Sequence, residues 1–156
     1  MLNRRILRTK AFKTVYGYAE NPSMTLKEAE ALLDMACEST RDLYLFLLSV
    51  VGPLTAEASS RIEAARNKFT PTEEELNPNM KFVDNSIARL LDEDPDFQKL
   101  LKRKKLSWEQ YDVFLRHLYE SVRASKYFCN YLDSEVSGLE ADASLWVKIF
   151  EHEFED

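Results

Sequence analysis

The sequence predicts an all-α protein in which residues 1–156 form a single helical bundle of about six to seven helices. Only three Gly and five Pro occur in 156 residues, and 45% of the residues are apolar. The apolar residues recur at spacings of three and four along most of the chain, which is the period of an α-helix that packs on one side. A chain of this length can bury a sizeable core without disulfides or metal.

The first helix is predicted over residues 3–18. Its apolar side is formed by Leu7, Ala11, Val15 and Tyr18, widened by Phe12 and Tyr16. The helix should end near Glu20, because Asn21 precedes Pro22 and a residue before proline avoids the helical conformation.

A capping box, Thr25-x-x-Glu28, predicts the start of a second, long helix. The pair Gly52-Pro53 should break its pattern. A third helix is then predicted over residues 54–69, with Phe69 facing inward.

Short elements follow. Thr70 should cap a helical turn with Pro71 at its first position. Residues 76–79, with Pro78, are the most loop-like part of the chain, and a helix is predicted over residues 82–91.

Asp94-Pro95 predicts the start of a helix that runs to about Lys105. Ser107 should cap the next helix, whose broad aromatic face continues to residue 132. Trp108, beside that cap, is either a surface aromatic or an anchor in the core, and the sequence leaves both interpretations open.

The last helix is predicted after Gly138 and is still presenting apolar side chains at Phe154, shortly before the sequence stops at Glu155-Asp156. An amphipathic helix that stops in mid-pattern suggests the N-terminal part of a longer protein.

Basic and acidic residues are mixed along the chain except in residues 1–20, where basic residues predominate. Five of the 21 basic residues and one of the 27 acidic residues lie within residues 1–20, so this segment carries +4 and the rest carries −10. A chain with net charge −6 is not expected to coat nucleic acid non-specifically. Any contact with a polyanion should therefore be local and should involve the first helix.

Arg4, Arg5 and Arg8 share a sector of that helix near its N-terminus, with Lys10 as a neighbour. Guanidinium groups bind phosphate in a bidentate manner, and the backbone N–H groups of a helix start also attract anions. These four residues are the predicted RNA-binding residues. The alternative interpretation, ordinary solvated charges, remains open.

A second basic cluster, Lys102-Arg103-Lys104-Lys105, could also contact RNA. It falls on the last predicted turn of a helix, where cations complement the helix dipole and the exposed carbonyl groups. The structural interpretation is therefore preferred for this cluster.

No catalytic motif or nucleotide-binding loop is present, and His117 and His152 have no partners at metal-ligand spacing. The sequence thus predicts a non-enzymatic protein without cofactor, metal or small-molecule substrate. Cys37 and Cys129 are predicted to be buried, reduced thiols, and the longest apolar run, residues 43–51, is too short to span a bilayer. The expected location is cytoplasmic, with no membrane partner.

Several segments together resemble the long, two-part members of the NusB transcription antitermination family. They are Arg4-Arg5-x-x-Arg8 with the apolar run ending at Val15-Tyr16, residues 65–68 and 71–74, LNPNMKFVDN at 76–85, LSW at 106–108 and FLRHLYESV at 114–122. The resemblance covers about residues 1–132, and the closing helices of the family, with their Phe-x-Asn-Gly-x-Leu signature, have no counterpart.

This resemblance implies an all-helical fold and a role in transcription antitermination. The expected partners are single-stranded boxA-type RNA and the ribosomal protein NusE. It also implies that Arg4, Arg5 and Arg8 contact RNA, that Lys10 contributes less, and that Tyr16 packs near that surface. A helical protein-protein interaction module with no RNA binding of its own is the alternative function.

Overall fold

The computed structural model describes residues 3–154, and within them the regular structure is entirely helical, which confirms the predicted all-α class. Glu155 and Asp156, where the sequence was interpreted as stopping in mid-pattern without a cap, lie outside the described residues. The α-helices are α1 Arg4–Glu20, α2 Leu26–Leu48, α3 Val51–Arg66, α4 Glu73–Leu76, α5 Ser86–Glu93, α6 Pro95–Lys104, α7 Asp112–Ala124, α8 Lys126–Asp133 and α9 Leu139–Glu153, with a 3-10 turn at Glu109–Tyr111.

The described residues form nine α-helices, so the predicted number of six to seven is wrong. The helix expected to run from Ser107 to residue 132 is divided at Ser125, whose backbone is extended with ψ at 146°. The Ser125 hydroxyl accepts the N–H of Phe128 at 3.3 Å and so caps α8. A serine in the middle of a helical pattern therefore starts a new helix here.

The predicted cap at Thr25 is confirmed, and the predicted cap at Thr70 is wrong. Glu28 accepts the backbone N–H of Thr25 at 2.8 Å, which completes the predicted box at the start of α2. The cap of α4 is Thr72, which forms a capping box with Glu75, and not Thr70. Phe69, predicted to face inward, is fully exposed because α3 already ends at Arg66. The predicted burial of the two cysteines is also wrong, since Cys37 is only half-buried and Cys129 is exposed.

The long helical pattern was expected to break at Gly52-Pro53. The break between α2 and α3 lies slightly earlier, at residues 49–50. Pro53 is in the first turn of α3, where a backbone N–H has no helical partner and its loss costs nothing. The helix predicted over residues 82–91 begins only at Ser86, because Asn85 caps it through its side chain.

The chain divides into two compact units, Met1–Leu48 and Ser49–Asp156, called here the N-terminal unit and the C-terminal unit. The N-terminal unit is a helical hairpin in which α1 packs against α2. Its turn is held by Asn21, whose side chain accepts the Ser23 hydroxyl at 2.7 Å and whose carbonyl accepts the N–H of Met24 at 3.0 Å.

Almost all of the buried apolar side chains belong to the C-terminal unit. They come from α3, α7, α8 and α9, and from Val50, Phe82 and Trp108. Trp108 is an anchor in the core, since it is 6% exposed and its indole N–H donates to the Ser49 hydroxyl at 3.0 Å.

Phe82 lies at the centre of this core, with its ring 5.1 Å from that of Phe128 and 5.6 Å from that of Trp146. Lys81, the residue before it, ties its segment to the C-terminal end of α8. The Lys81 ammonium donates to the carbonyl of Tyr131 at 2.6 Å and to that of Ser134 at 2.7 Å. Lys81 and Phe82, which follow the loop-like residues 76–79, thus help to organise the packing of the C-terminal unit.

Candidate nucleic-acid interface

The N-terminus of α1 is capped within the chain. The Asn3 side chain accepts the N–H of Arg5 at 2.8 Å and that of Ile6 at 3.0 Å, and its carbonyl accepts the N–H of Leu7 at 3.1 Å. The expectation that free backbone N–H groups add to anion binding is therefore wrong for these three residues. Attraction for a polyanion at this end of α1 comes from the side chains.

Arg4, Arg5 and Arg8 are exposed on the first two turns of α1, and the structure brings them together as the sequence predicted. Arg4 and Arg8 are one turn apart, and Arg5 and Arg8 are three residues apart, so their side chains are neighbours on the helix surface. The first turn of α1 contains no acidic residue. Within the described residues, no ion pair neutralises any of the three guanidinium groups.

Lys10 lies in a groove and not beside Arg4 and Arg8. It is half-buried, and together with Arg5 and Lys13 it lines a groove of about 480 Å³ between α1 and α2. The floor of the groove is apolar and includes Leu32 and Ala36. Lys10 is thus separated from Arg4 and Arg8. Lys13, which was counted above only in the net charge, lines the same groove.

Two aromatic residues continue the arginine surface. Phe12 is 71% exposed and Tyr16 is 60% exposed, and their rings stack with centroids 6.4 Å apart. Tyr16 was expected to pack, and Phe12 was assigned to the apolar side of the helix. Both expectations of burial are wrong, because α1 contacts α2 through smaller residues such as Ala11 and contains no buried side chain.

The spacing of Arg5, Arg8, Phe12 and Tyr16 is three, four and four residues, which places all four side chains on one stripe of α1. We call these four residues the α1 stripe. The same spacing in the sequence could have identified them, but an aromatic residue at helical spacing is more often a core residue. Only exposure in the folded chain separates the two interpretations.

The second basic cluster forms the last turn of α6, as predicted. Lys105 follows in the left-handed conformation with φ at 55°, and its N–H is bonded to the carbonyl of Lys102 at 3.2 Å. Leu106 donates to the carbonyl of Leu101 at 3.0 Å. This pair of backbone bonds is the Schellman ending of a helix. The basic side chains take no part in these bonds, so their preferred structural role at the end of α6 stays a prediction.

The C-terminal unit contains a buried polar cluster. Asn85 is 1% exposed, and its side-chain oxygen accepts the indole N–H of Trp146 at 3.0 Å. Asp142 is 5% exposed and accepts the N–H and the hydroxyl of Ser86 and the hydroxyl of Tyr131. Because these groups satisfy one another, the cluster holds α5, α8 and α9 together rather than presenting a reactive group.

Burial alone would raise the pKa of Asp142. Donation by Ser86 and Tyr131 and the positive charge of Lys81 outweigh burial, and the pKa of the carboxyl falls below its ordinary value. Burial and the bond to Asp142 raise the pKa of the Tyr131 hydroxyl. Both shifts keep the network in one protonation state, with a carboxylate that accepts and a phenol that donates.

Comparison of the chain with models of protein families, with curated proteins and with solved structures found no match. Within the described residues, the stretch Leu26–Arg66, which includes α2 and α3, contains an 18-residue window of mean hydropathy 1.3, and 28% of that window is buried. By length and composition alone this stretch could cross a membrane. Core helices of proteins that never enter a membrane pass the same criterion.

Proposed function

We propose that this chain is a non-catalytic RNA-binding protein of the transcription antitermination type, which binds single-stranded boxA-type RNA through α1 and acts with the ribosomal protein NusE. The observation that carries the proposal is the exposed and unneutralised set of Arg4, Arg5 and Arg8 on an otherwise acidic chain. The RNA and the protein partner named in this proposal come from the resemblance of several sequence segments to the NusB family.

The charge distribution explains why binding would be local. The segment of residues 1–20 carries +4, and the rest of the chain carries −10 and repels phosphate. Contact with about three phosphates should give a log–log salt slope near −2, at ~0.7 per phosphate of a single strand. Affinity for RNA alone is then modest, and NusE should raise it by adding surface and base contacts.

The test compares two double variants of equal charge by fluorescence anisotropy with a boxA-type RNA across a range of salt. Arg4→Gln with Arg8→Gln removes two phosphate contacts, so the slope should become shallower by about 1.4. Lys102→Gln with Arg103→Gln lowers the net charge equally at the end of α6 and should leave the slope unchanged. Equal loss in both variants, or none in either, would contradict RNA binding by α1.

The alternative function is a helical protein-protein interaction module with no RNA binding of its own. It is favoured by a separate observation, the large apolar side chains that α2 exposes. They are Leu26, Leu32, Met35, Leu43 and Tyr44. Salt-insensitive binding of NusE that survives Arg4→Gln with Arg8→Gln, together with no measurable RNA affinity, would establish this second function.

A further inference from the structure

The groove between α1 and α2 combines cations with an apolar floor. Arg5, Lys10 and Lys13 line it, and among the described residues no acidic side chain does so. Lys10 is half-buried, yet neither Lys10 nor Lys13 forms an ion pair within the described part of the chain. A partly buried ammonium group without a counter-ion costs free energy, so this groove attracts an anion.

We propose that the groove binds a free single-chain amphiphile with one carboxylate head group, which is the chemistry of a fatty acid. The two ammonium groups hold the carboxylate, and the acyl chain lies on the floor between the helices. This ligand is separate from the RNA proposed above. It assigns a role to Lys10 and Lys13, which lie apart from Arg4 and Arg8.

The donors for the head group lie on one stretch of α1. Lys10 and Lys13 are three residues apart and are neighbours on the helix surface. Thr14 lines the groove four residues after Lys10, and its half-buried hydroxyl makes no hydrogen bond within the described residues. A carboxylate accepts several hydrogen bonds and therefore satisfies two ammonium groups and a hydroxyl together.

The rest of the groove suits an acyl chain. Its apolar lining comes from Ile6, Met24, Leu32 and Ala36, and the backbone of Gly17 completes it. A Cβ added at Gly17 meets nothing within 4 Å, so the space beside this residue is open. The volume of about 480 Å³ is in the range of small-molecule sites. Between Ile6 and Gly17, α1 rises by about 16 Å, which accommodates an extended acyl chain of medium length.

Shape and charge favour this ligand over other occupants. A phosphate of RNA would satisfy Lys10 and Lys13 but would leave the apolar floor uncovered. A bilayer is flat and does not reach side chains at the bottom of a concave groove. A helix of a second copy of the chain is about 10 Å wide with its side chains, so it is too large to enter.

The test is isothermal titration calorimetry of the full chain with dodecanoate below its micelle concentration. Saturable binding of one dodecanoate per chain is expected. Dodecanol has the chain without the charge, and acetate has the carboxylate without the chain, so each should bind at least about ten-fold more weakly. Lys10→Met with Lys13→Met keeps unbranched apolar side chains and removes the charges, and it should weaken dodecanoate binding by about ten-fold or more.

Two further variants separate the groove from the arginine surface. Gly17→Leu fills the open space, so it should abolish dodecanoate binding and leave the affinity for boxA-type RNA unchanged. Arg4→Gln with Arg8→Gln removes the same number of charges from α1 outside the groove and should leave dodecanoate binding unchanged. Circular dichroism of each variant establishes that the helices are retained.

Each contrary outcome overturns the inference. Equal binding of dodecanol and dodecanoate excludes the anionic head group, and equal loss in the lysine and arginine variants shows only general charge attraction. Binding to phosphatidylglycerol vesicles without binding of free dodecanoate assigns the groove to a membrane. Dimers in sedimentation that the lysine variant abolishes, without dodecanoate binding, assign it to a second copy. Loss of RNA binding alone overturns the proposed function and leaves this site standing.

Discussion

At the scale of single residues, the buried polar side chains of the C-terminal unit explain why one arrangement of α5, α8 and α9 is preferred. Asn85 caps α5 and at the same time accepts the indole N–H of Trp146 on α9. Asp142 on α9 accepts from Ser86 on α5 and from Tyr131 on α8. Each of these buried polar groups would cost free energy if it had no hydrogen-bond partner in the core. Packings that separate the partners are therefore disfavoured.

Replacing Asp142 by asparagine should destabilise the chain by about 2–3 kcal/mol, because an amide loses the charge that strengthens these bonds and places a donor against other donors. Chemical denaturation of the variant and of the parent chain at neutral pH measures the difference. Ala141 is half-buried in the same turn, so Ala141→Ser serves as a control that should change stability much less. A loss below about 0.5 kcal/mol for Asp142→Asn would show that the cluster is not needed for stability.

The same residues predict the dependence of stability on pH. The folded pKa of Asp142 lies below its unfolded value, so its contribution is complete above the unfolded pKa of about 4 and is lost as pH falls through the folded pKa. The folded pKa of Tyr131 is raised, so its contribution is complete below about 10 and is lost as pH rises further. Denaturation across pH should show both losses, and a flat acid limb in the parent chain would contradict the carboxylate's role.

Lys105 is the non-glycine residue with positive φ in the described part of the chain, at the end of α6. A side chain in the left-handed region costs about 1 kcal/mol, and glycine at this position avoids the cost. Lys105→Gly should therefore raise the free energy of unfolding by about 0.5–1 kcal/mol. Lys102→Gly, one turn earlier inside the helix, should lower it, and a thermal melt that ranks the two variants in the opposite order would contradict this account.

At the scale of elements, α1 is capped and charged but contains no buried residue, and in this it differs from the core helices α3, α7, α8 and α9 of the C-terminal unit. Asn3 caps its first turn, and its contact with α2 uses half-buried small residues such as Ala11, Thr14 and Gly17. Its large side chains are left for solvent or for a ligand. An element held mainly by its caps and by small residues can present a surface without losing its own shape.

Gly17 weakens α1 from within, since glycine in a helix is about 1 kcal/mol less favourable than alanine. A Cβ added at Gly17 meets nothing within 4 Å. We expect Gly17→Ala to stabilise the helix of the N-terminal unit by about 0.5–1 kcal/mol, detected as a higher melting temperature by far-ultraviolet circular dichroism. RNA affinity should be retained, because Gly17 faces the groove and not the α1 stripe. A lower melting temperature would show that the groove needs the space.

At the scale of the whole molecule, the two units differ in how they gain stability. Of the buried apolar side chains in the described residues, all except Ala29 belong to the C-terminal unit. That unit therefore has a hydrophobic core of its own, and the N-terminal unit is a two-helix hairpin in which helical propensity and caps carry more of the stability.

The C-terminal unit should consequently fold alone. A fragment of residues 49–156 is expected to melt cooperatively, because its core and its buried polar cluster are complete within it. A fragment of residues 1–48 should show only partial helix that changes gradually with temperature. Calorimetry of both fragments tests this, and a non-cooperative melt of residues 49–156 would contradict an independent core.

The sequence alone predicted the helical class, the charge segregation of residues 1–20 and several helix boundaries. Thr25 with Glu28, and Asp94 before Pro95, act at the positions expected. A helix cap is a local feature, because its side chain bonds to an N–H two or three residues away. The net charge of a segment needs no structure, because it is the number of basic residues minus the number of acidic residues. The same locality explains the error at Thr70, where Thr72 two residues later offered an equally good capping box.

Burial was decided by the tertiary structure. Phe82 and Phe12 belong to similar apolar patterns, yet Phe82 is 2% exposed at the centre of a core and Phe12 is 71% exposed beside arginines. The difference depends on which distant helices reach each side chain, and the spacing of residues along one helix contains no information about that. The candidate arginines could thus be identified from the sequence, whereas the exposure of the rings beside them was decided only by the fold.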